Sequence, residues 1–546
     1  MTTHPIVQIR NLRVAFRTGR GENEVLHGID MVVNKGEILG VIGESGSGKT
    51  MTGMSLLRLL PDNAKVTADE MRFDGVDLPP MSEGQFAGLR GVQLAMIFQD
   101  PVGSFNPAKT IGWHFDQILK QAGVANDGRQ RGITLLEEVG VKRATEVIDL
   151  YPHQLSGGML QRALIALVIA LRPALIVADE PTTNLDKVVE AQILELFLDM
   201  RNRLKAAMIF VTHDMAVAAS LCDRIAVMNA GEIVETGEAK AVFTDPQHPY
   251  TKKLIDTALE LSNSRAKTVV SGTESAAASK GEAEPLFKVR DLSVTFPGSR
   301  TRAAFKALDD ISFDIQPGEI LGLVGESGSG KTTLGRTLLR LYTPSGGEIV
   351  YRGRDITHLP ERALRGMRRQ LQMVFQDPGG SFNPRTTMGA SLAEALVMVG
   401  CPRVDIPKRS IALLERVGLT AAHADRYVHQ LSGGQLQRVA VARAIALEPS
   451  MIVADEAVSK LDVSVRAGVL DLFKDIQAET GMAMVFITHD LDAARFMCDR
   501  MAVLLHGKLL EIGPTEQIFA APSHEYTRTL LASQGALSRA VGARLQ

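Results

Sequence analysis

Short runs that are apolar at every position recur along the chain, separated by longer stretches of mixed character. In the N-terminal half they lie at Ile38–Ile42, Ala95–Phe98, Leu175–Ala178 and Met208–Val211. Such runs predict strands buried on both faces, which suit a mainly parallel sheet covered by helices. The stretch from 108 to 155 contains no run of this kind, so we expect a helical insertion there. The pattern therefore predicts an α/β fold.

The same series of motifs occurs twice along the chain. VIGESGSGKT, MIFQDPVGSFNP, HQLSGGMLQR, LIVADE and VTHD begin at residues 41, 96, 153, 175 and 211. They return in the same order as LVGESGSGKT, MVFQDPGGSFNP, HQLSGGQLQR, MIVADE and ITHD at 323, 373, 429, 451 and 487. A repeat this long is a whole domain, because solenoid repeats run about 20–50 residues.

The segment between the copies, 266–284, is rich in Ala, Ser, Gly and Glu and lacks aromatic residues. This composition predicts a flexible linker. We therefore expect one domain at 1–265 and a second at 285–546.

Composition narrows the class of protein. The 546 residues carry a formal net charge of −2, which gives no global reason to expect nucleic-acid binding. The three cysteines form no paired spacing, which suits a reducing compartment and argues against a disulfide framework or a cysteine-held metal. The longest apolar run, 163–171, is far shorter than the roughly 20 residues that cross a bilayer. The N-terminus has no apolar stretch of signal-peptide length, so we expect a soluble chain inside the cell.

The sequence GESGSGKT, at 43–50 and 325–332, follows an apolar strand and precedes a helical stretch in both copies. That context predicts a phosphate-binding loop, in which main-chain N–H groups and the positive end of a helix surround phosphate oxygens. The lysines are expected to neutralise phosphate charge and the threonine hydroxyls, of Thr50 and Thr332, to bind Mg²⁺. The candidate nucleotide-binding residues of the loops are Gly43, Glu44, Ser45, Gly46, Ser47, Gly48, Lys49, Thr50, Gly325, Glu326, Ser327, Gly328, Ser329, Gly330, Lys331 and Thr332.

The strands LIVADE and MIVADE each end in two acids. Asp179 and Asp455 are expected to hold Mg²⁺, and Glu180 and Glu456 to act as general bases toward the attacking water. An acidic pair after a strand is more often a helix cap when it stands alone. Its position after a phosphate loop favours catalysis here.

A glutamine and a histidine end two further strands of each copy. Gln99 and Gln376 follow MIF and MVF, and His213 and His489 follow IFVT and VFIT. Because they recur in fixed order, we expect them to sense the γ-phosphate and the attacking water. The glutamines are also candidate Mg²⁺ ligands, and the histidines are candidate catalytic residues.

LSGG stands at 155–158 and 431–434, directly before a helical stretch. A serine and two glycines at a helix start offer a hydroxyl and free main-chain N–H groups to an anion. Each domain then has two phosphate-binding surfaces, which predicts that a nucleotide is clamped between two domains. The residues of this second surface are Ser156, Gly157, Gly158, Ser432, Gly433 and Gly434.

Two aromatic residues, Phe16 and Phe296, occupy the same place in the N-terminal strands LRVAF and LSVTF. The sequence leaves open whether these two rings stack on adenine or pack in the core.

With these motifs in this order, the chain resembles the ABC transporter ATPases over nearly its whole length. SFNP at 104–107 and 381–384, and HPYTKKL and HEYTRTL at 248–254 and 524–530, are similar to the peptide/nickel-uptake subfamily. The likeness extends to the fused two-domain ATPases of bacterial peptide importers, such as the microcin-C and glutathione uptake systems. It implies two tandem P-loop NTPase domains, each with an N-terminal antiparallel β-subdomain and a helical insertion.

The resemblance also implies the activity and the partners. The two domains would pair head to tail and bind two ATP molecules with Mg²⁺, with Asp186 and Asp462 among the nucleotide-binding residues. The implied partners are two transmembrane permease subunits and, indirectly, an extracytoplasmic solute-binding protein, and not nucleic acid. The implied location is the cytoplasmic face of the bacterial inner membrane, where hydrolysis would drive uptake of peptides or related small solutes.

Some positions depart from the subfamily pattern, and two of them lie in the loop after the acidic strand. Asn184 and Lys460 stand where alanine is usual, which leaves open whether the two ATP sites are equally active. The cargo is open among peptides, nickel chelates, opines, glutathione and sugars, and import is favoured over export. The alternative class is a soluble tandem ATPase that acts on ribosomes or DNA, which the short linker and the lone cysteines disfavour.

Overall fold

The computed structural model describes residues 5–19, 21–121, 123, 128–183, 185, 187–263, 284–298, 304–459, 461 and 463–532. They form two compact units, the first ending at Ala258 and the second beginning at Leu259. The linker predicted at 266–284 lies, up to residue 283, outside the described residues. Within the described residues, no helix is both long enough and apolar enough to cross a membrane.

The first unit contains an antiparallel sheet and a mainly parallel sheet. Its strands are β1 (Pro5–Thr18), β2 (Gly21–Asn34), β3 (Ile38–Ile42), β4 (Ala64–Thr67), β5 (Glu70–Phe73), β6 (Val76–Asp77), β7 (Leu94–Ile97), β8 (Leu175–Asp179), β9 (Ala207–Thr212), β10 (Arg224–Asn229) and β11 (Glu232–Glu238). The antiparallel sheet has the order β2-β1-β5-β6, with β4 also paired to β1, and the other has the order β11-β10-β3-β9-β8-β7. In the second sheet only the β10–β11 pair is antiparallel among the described pairs.

The helices of the first unit follow the predicted pattern, with the insertion between β7 and β8. They are α1 (Lys49–Leu56), α2 (Glu83–Ala87), α3 (Ile111–Gln121), α4 (Gly128–Glu138), α5 (Ala144–Val147), α6 (Gly157–Leu171), α7 (Lys187–Leu204), α8 (Met215–Leu221), α9 (Ala239–Thr244) and α10 (Pro249–Asn263). The helical insertion expected between 108 and 155 therefore comprises α3, α4 and α5. The longest apolar run of the sequence lies in α6, whose apolar residues are mostly buried.

The second unit repeats the order. Its strands are β12 (Phe287–Phe296), β13 (Phe305–Ile315), β14 (Ile320–Val324), β15 (Gly346–Tyr351), β16 (Arg354–Asp355), β17 (Leu371–Val374), β18 (Met451–Asp455), β19 (Ala483–Thr488), β20 (Arg500–Leu505) and β21 (Lys508–Pro514). Its helices are α11 (Lys331–Leu338), α12 (Glu361–Arg368), α13 (Met388–Met398), α14 (Ile406–Arg416), α15 (Gly433–Ile445), α16 (Val463–Thr480), α17 (Leu491–Met497) and α18 (Thr515–Ala520), and residues 525–532 are also helical. The sheets have the orders β13-β12-β15-β16 and β17-β18-β19-β14-β20-β21.

The parallel strands are buried on both faces, as their composition predicts. In β3, Ile38 and Ile42 join the core beneath α6, α7 and the helical insertion, whereas Leu39 and Val41 join the core shared with the antiparallel sheet. Successive side chains of a strand point to opposite faces, so an all-apolar strand belongs in the middle layer of three. This layering brings the carboxyl ends of β3, β8 and β9 together at one edge of the sheet.

Candidate nucleotide-binding and catalytic site

The phosphate loops lie between β3 and α1 and between β14 and α11. Gly43 has φ +156°, and a Cβ there would lie 2.2 Å from the Met228 carbonyl oxygen, so the close approach requires glycine. Gly46 has φ +80° with open space around the position of a Cβ. The loop is therefore a main-chain cradle with a clear mouth, which fits a phosphate group.

The phosphate-loop lysines are buried and held by main-chain oxygens. Lys49 Nζ donates to the Gly43 and Glu44 carbonyls at 2.8 and 2.9 Å, and Lys331 makes the equivalent contacts at 2.8 and 2.7 Å. Among the described residues, none forms a hydrogen bond with the buried hydroxyl of Ser47. A buried polar group without a partner is costly, so this hydroxyl also fits a ligand oxygen in the cradle.

Two of the three predicted Mg²⁺ groups, the threonine and the aspartate, meet in each unit, whereas Gln99 and Gln376 donate to the glutamates instead. The Thr50 hydroxyl donates to Asp179 Oδ1 at 2.9 Å, and Thr332 donates to Asp455 Oδ1 at 2.8 Å. Burial, followed by the neighbouring Glu180 charge, raises the pKa of Asp179 to about 6, although the Thr50 hydrogen bond and Lys49 oppose the shift. Burial raises the pKa of Asp455 as well. A divalent cation would offset the cost of burying this negative charge beside a second acid. The hydroxyl and carboxylate oxygens therefore fit Mg²⁺.

Glu180 is the centre of a second cluster. Gln99 Nε2 donates to Glu180 Oε2 at 2.9 Å, the Thr183 hydroxyl donates to the same oxygen at 2.9 Å, and His213 Nδ1 lies 3.2 Å from it. The Glu180 main chain has φ +43°, a conformation that L-residues rarely adopt. Its N–H donates to the Val211 carbonyl at 2.9 Å, which holds this conformation between β8 and β9.

The second unit builds the same cluster around Glu456, whose φ is +46°. Gln376 Nε2 donates to Glu456 Oε2 at 2.7 Å, and His489 Nδ1 lies 3.5 Å from Oε1. In both units burial alone would raise the pKa of the glutamate, but the histidine hydrogen bond and nearby positive charge leave that pKa below its usual value. Both glutamates are therefore ionised at neutral pH and available to orient water.

The LSGG serines begin the helices predicted for them. Ser156 Oγ accepts from the N–H of Met159 at 3.4 Å, and Ser432 Oγ accepts from the N–H of Gln435 at 3.3 Å. The serines and the first glycines are exposed, and a Cβ at Gly157 or at its counterpart would meet open space. Each unit thus presents an open helix start at this motif.

Other predicted residues stand apart from these clusters. Phe16 and Phe296 are half-buried beside the core, and Phe296 contacts Tyr342 edge-on with ring centroids 5.4 Å apart. Adenine stacking by either ring stays a prediction. The loop residues Asp186, Asp462, Asn184 and Lys460 lie outside the described residues.

Sequence reasoning missed one tyrosine per unit at the phosphate loop. The Tyr250 hydroxyl accepts from the Glu44 N–H at 3.2 Å, and Tyr526 accepts from the Glu326 N–H at 3.2 Å. The sequence did contain a signal for these tyrosines, because both lie in the recurring HPYT and HEYT motifs. Those motifs indicated a subfamily but not a contact with the phosphate loop.

Each tyrosine is positioned by a glutamate of the last strand. The Glu235 carboxylate accepts from the N–H groups of Gln247 and His248 at 2.9 and 3.0 Å, and His248 Nδ1 accepts from the Tyr250 N–H at 3.2 Å. The Glu511 carboxylate makes the matching contacts in the second unit. The motif is therefore a fixed turn that reaches back to the phosphate loop.

Two family models match this chain, each in both units. A family model described as ABC transporter matches residues 26–183 and 308–459. A second, described as the oligopeptide/dipeptide transporter C-terminal region, matches 234–283 and 510–542 and so includes the tyrosine motifs. A solved structure described as the dimeric post-hydrolysis state of an ATP-binding cassette bound to ADP and Pi is 29% identical. It covers 42% of this chain and 98% of that chain, with a TM-score of 0.39.

Curated relatives match this chain over nearly its whole length. The glutathione import ATP-binding protein of Shigella boydii is 40% identical over 566 residues, covering 97% of this chain and 89% of that protein. The protein of the same name from Escherichia coli strain K12 is 39% identical with the same coverage. The chain therefore belongs to the ABC transporter family, within its peptide- and nickel-uptake branch, and is an ATPase with two ATP-binding domains.

Proposed function

We propose that this chain powers an importer of small peptides, with glutathione as the first candidate cargo. The observation that carries the ATP-driven part of the proposal is the repetition of the whole glutamate cluster, Gln–Glu–His, behind an intact phosphate loop in both units. Two complete clusters support two hydrolytic sites. The names of the relatives and the oligopeptide/dipeptide C-terminal region support uptake of a peptide.

The phosphate-loop lysines exchange partners when nucleotide enters. Lys49 and Lys331 donate to loop carbonyls in the described structure, and these hydrogen bonds are replaced by bonds to β- and γ-phosphate oxygens. Thr50 with Asp179, and Thr332 with Asp455, are the residues that would hold Mg²⁺. The ion supplies neutralising charge to the β- and γ-phosphate oxygens.

Glu180 and Glu456 act on the attacking water. The histidine and glutamine bonds hold each carboxylate in one orientation and keep it ionised, so it accepts a hydrogen bond from the water and orients the water's oxygen toward the γ-phosphorus. The unusual main-chain conformation at both glutamates fixes the direction of the side chain. Both sites are assigned hydrolysis on this basis.

Each nucleotide is proposed to bind between two domains, 1–265 and 285–546. The phosphate loop of one domain supplies the lysine, and the LSGG helix start of the other supplies the Ser156 or Ser432 hydroxyl and main-chain N–H groups. Exposure of the LSGG serines and first glycines supports this role, because an anion-binding helix start has to be accessible to its ligand. Closure with ATP and reopening after hydrolysis would transmit motion to membrane partners.

The membrane partners are proposed to be two permease subunits, served by an extracytoplasmic solute-binding protein. The chain would lie on the cytoplasmic face of the bacterial inner membrane. The importer names of the relatives support these partners.

The test is reconstitution of the full chain in proteoliposomes with a permease pair from the same organism. Solute-binding protein loaded with glutathione, with a dipeptide, with a nickel chelate or with no cargo is added, and ATPase rate and cargo uptake are measured. We expect stimulation and uptake with glutathione or a dipeptide. Stimulation by the nickel-loaded protein alone would overturn the peptide assignment. Co-purification with ribosomes or DNA instead of permeases would overturn the transport role.

A further inference from the structure

The second unit carries an arginine surface, which we define as Arg354, Arg362, Arg365 and Arg369. It is formed by β16, by α12 and by the residue after α12, and all four side chains are exposed. No carboxylate of the described residues pairs with any of these four guanidinium groups, whereas the neighbouring Arg368 pairs with Glu361 at 2.8 Å. The four charges are therefore directed to solvent and to any partner.

The first unit shows that the fold does not need this surface. Its Glu83–Arg90 pair, at 2.7 Å, has the same seven-residue spacing as the Glu361–Arg368 pair and aligns the two segments. In this register the four arginines correspond to Val76, Gly84, Ala87 and Gly91. The same hairpin and helix thus form without the four charges.

The charge balance around the two segments also differs. In the first unit Arg72 pairs with Asp77 at 2.6 Å, and Arg58 approaches Glu83 at 3.8 Å. The counterpart of Arg58 in the second unit, Arg340, is buried, and like Arg58 it donates to main-chain oxygens, here those of Ile356 and Tyr342. Burial, and then the positive charge of Arg368, lowers the pKa of Arg340, although Glu361 and Asp355 oppose the shift. Arg340 is therefore a further positive charge beside Arg368, next to the arginine surface.

The surface has no apolar centre. Leu364 is buried against the unit, and no large apolar side chain between residues 352 and 370 is exposed. Protein–protein interfaces are usually built on an aromatic or apolar core, which this surface lacks. Exposed arginines without apolar neighbours fit a polyanionic surface that binds by charge, such as the headgroup layer of an acidic membrane.

We propose that the arginine surface binds the anionic phospholipid headgroups of the membrane in which the permeases lie. The choice of a membrane rests on the proposed transport function. The contact is electrostatic, since the helix keeps its apolar face on its own unit. It gives the second unit a membrane attachment that the first unit does not share.

The experiment is co-sedimentation of the full chain with vesicles that contain no permease. Vesicles of phosphatidylcholine alone are compared with vesicles that also contain phosphatidylglycerol, at low and high salt. We expect binding only to the anionic vesicles and loss of binding at high salt, because salt screens exposed charges. Changing the four arginines to glutamine should weaken partitioning by about 10²–10³-fold, since each basic residue near an anionic surface contributes roughly fivefold.

Two controls accompany this variant. Four exposed lysines of the first unit, Lys65, Lys240, Lys252 and Lys253, are changed to glutamine for the same charge loss and should leave binding unchanged. Changing the four arginines to lysine should retain most of the binding. ATPase rate measured on the same samples reports separately on the proposed function.

Three results would overturn the proposal. They are absence of binding to anionic vesicles by the wild-type chain, equal binding by the arginine-to-glutamine variant, and equal loss in the lysine control. If the arginine-to-glutamine variant instead loses the detergent-solubilised permeases in the absence of lipid, the surface belongs to a protein partner and the lipid assignment is wrong.

Discussion

The Tyr250 hydroxyl accepts a hydrogen bond of 3.2 Å from the main-chain N–H of Glu44, inside the phosphate loop. The two residues are 206 positions apart, and Tyr526 repeats the contact with Glu326 across 200 positions. The C-terminal segment of each unit therefore anchors the loop that is to receive phosphate. A phosphate loop that is already held in place loses less conformational entropy when nucleotide binds.

Removing this anchor should weaken nucleotide binding. Changing Tyr250 and Tyr526 together to phenylalanine deletes only the two hydroxyls, and a typical hydrogen bond contributes about 1 kcal/mol. We expect the Kd for a fluorescent ATP analogue to rise about three- to tenfold, with little change in thermal stability. Tyr427→Phe, outside the phosphate loops, is the control. An unchanged Kd in the double variant would contradict the anchoring role.

If Glu180 and Glu456 are the general bases, their substitution should lower ATP turnover in a defined pattern. Glu180→Gln and Glu456→Gln should each lower ATP turnover, and together they should lower it by about 10² or more, because a positioned base contributes 10²–10⁴. Glutamine keeps the size of the side chain, so ATP binding should persist. Steady-state ATPase rates of the two single variants and the double variant check this. A single variant with full turnover would remove one of the two sites from the mechanism.

Local motifs were predictable, and long-range contacts were not. The strands at Ile38–Ile42 and Leu175–Ala178 follow from apolar runs whose burial is decided locally, although the strand placed at Ala95–Phe98 lies at Leu94–Ile97. The positive φ of Glu180 depends on its hydrogen bond to Val211 in the neighbouring strand. No local pattern encodes that bond.

The sequence contains a local sign of the arginine surface, but that sign is not sufficient to predict it. The stretch RALRGMRR in α12 is visibly basic, but the sequence does not show which arginines have acidic partners. Glu361 pairs with Arg368, seven residues away, rather than with Arg362 or Arg365. Only the folded arrangement distinguishes the paired arginine from the unpaired ones.

The raised pKa of Asp179 predicts that the stability of the nucleotide-free chain depends on pH. Its pKa, about 6 in the folded protein, lies above the 3.8 of an unperturbed aspartate because the side chain is buried. The folded state therefore binds the proton more tightly. The stabilisation from this group is full below about pH 4 and is lost as the pH rises through 6.

Asp179→Asn should abolish this dependence while keeping an acceptor for Thr50. At pH 8 we expect the first unit to gain about 2–3 kcal/mol in unfolding free energy, and less at pH 5. Calorimetric melting of the full chain at both pH values measures this gain in unfolding free energy. Asp62→Asn, at an exposed site, should show no such gain. An equal gain at pH 5 and pH 8 would exclude ionisation of Asp179 as the cause.

The pairing of the two domains is testable with introduced cysteines, because the native Cys222, Cys401 and Cys498 are all buried. Ser45 and Gly433 are exposed, and a side chain at Gly433 meets open space. With cysteine at both positions in the Glu→Gln double variant, ATP should increase cross-linking by a short bis-maleimide within one chain, seen as a gel-mobility shift. The linker favours the intramolecular product by keeping the two domains at high effective concentration. Cross-linking that does not respond to ATP, or that yields only dimers, would exclude head-to-tail closure within the chain.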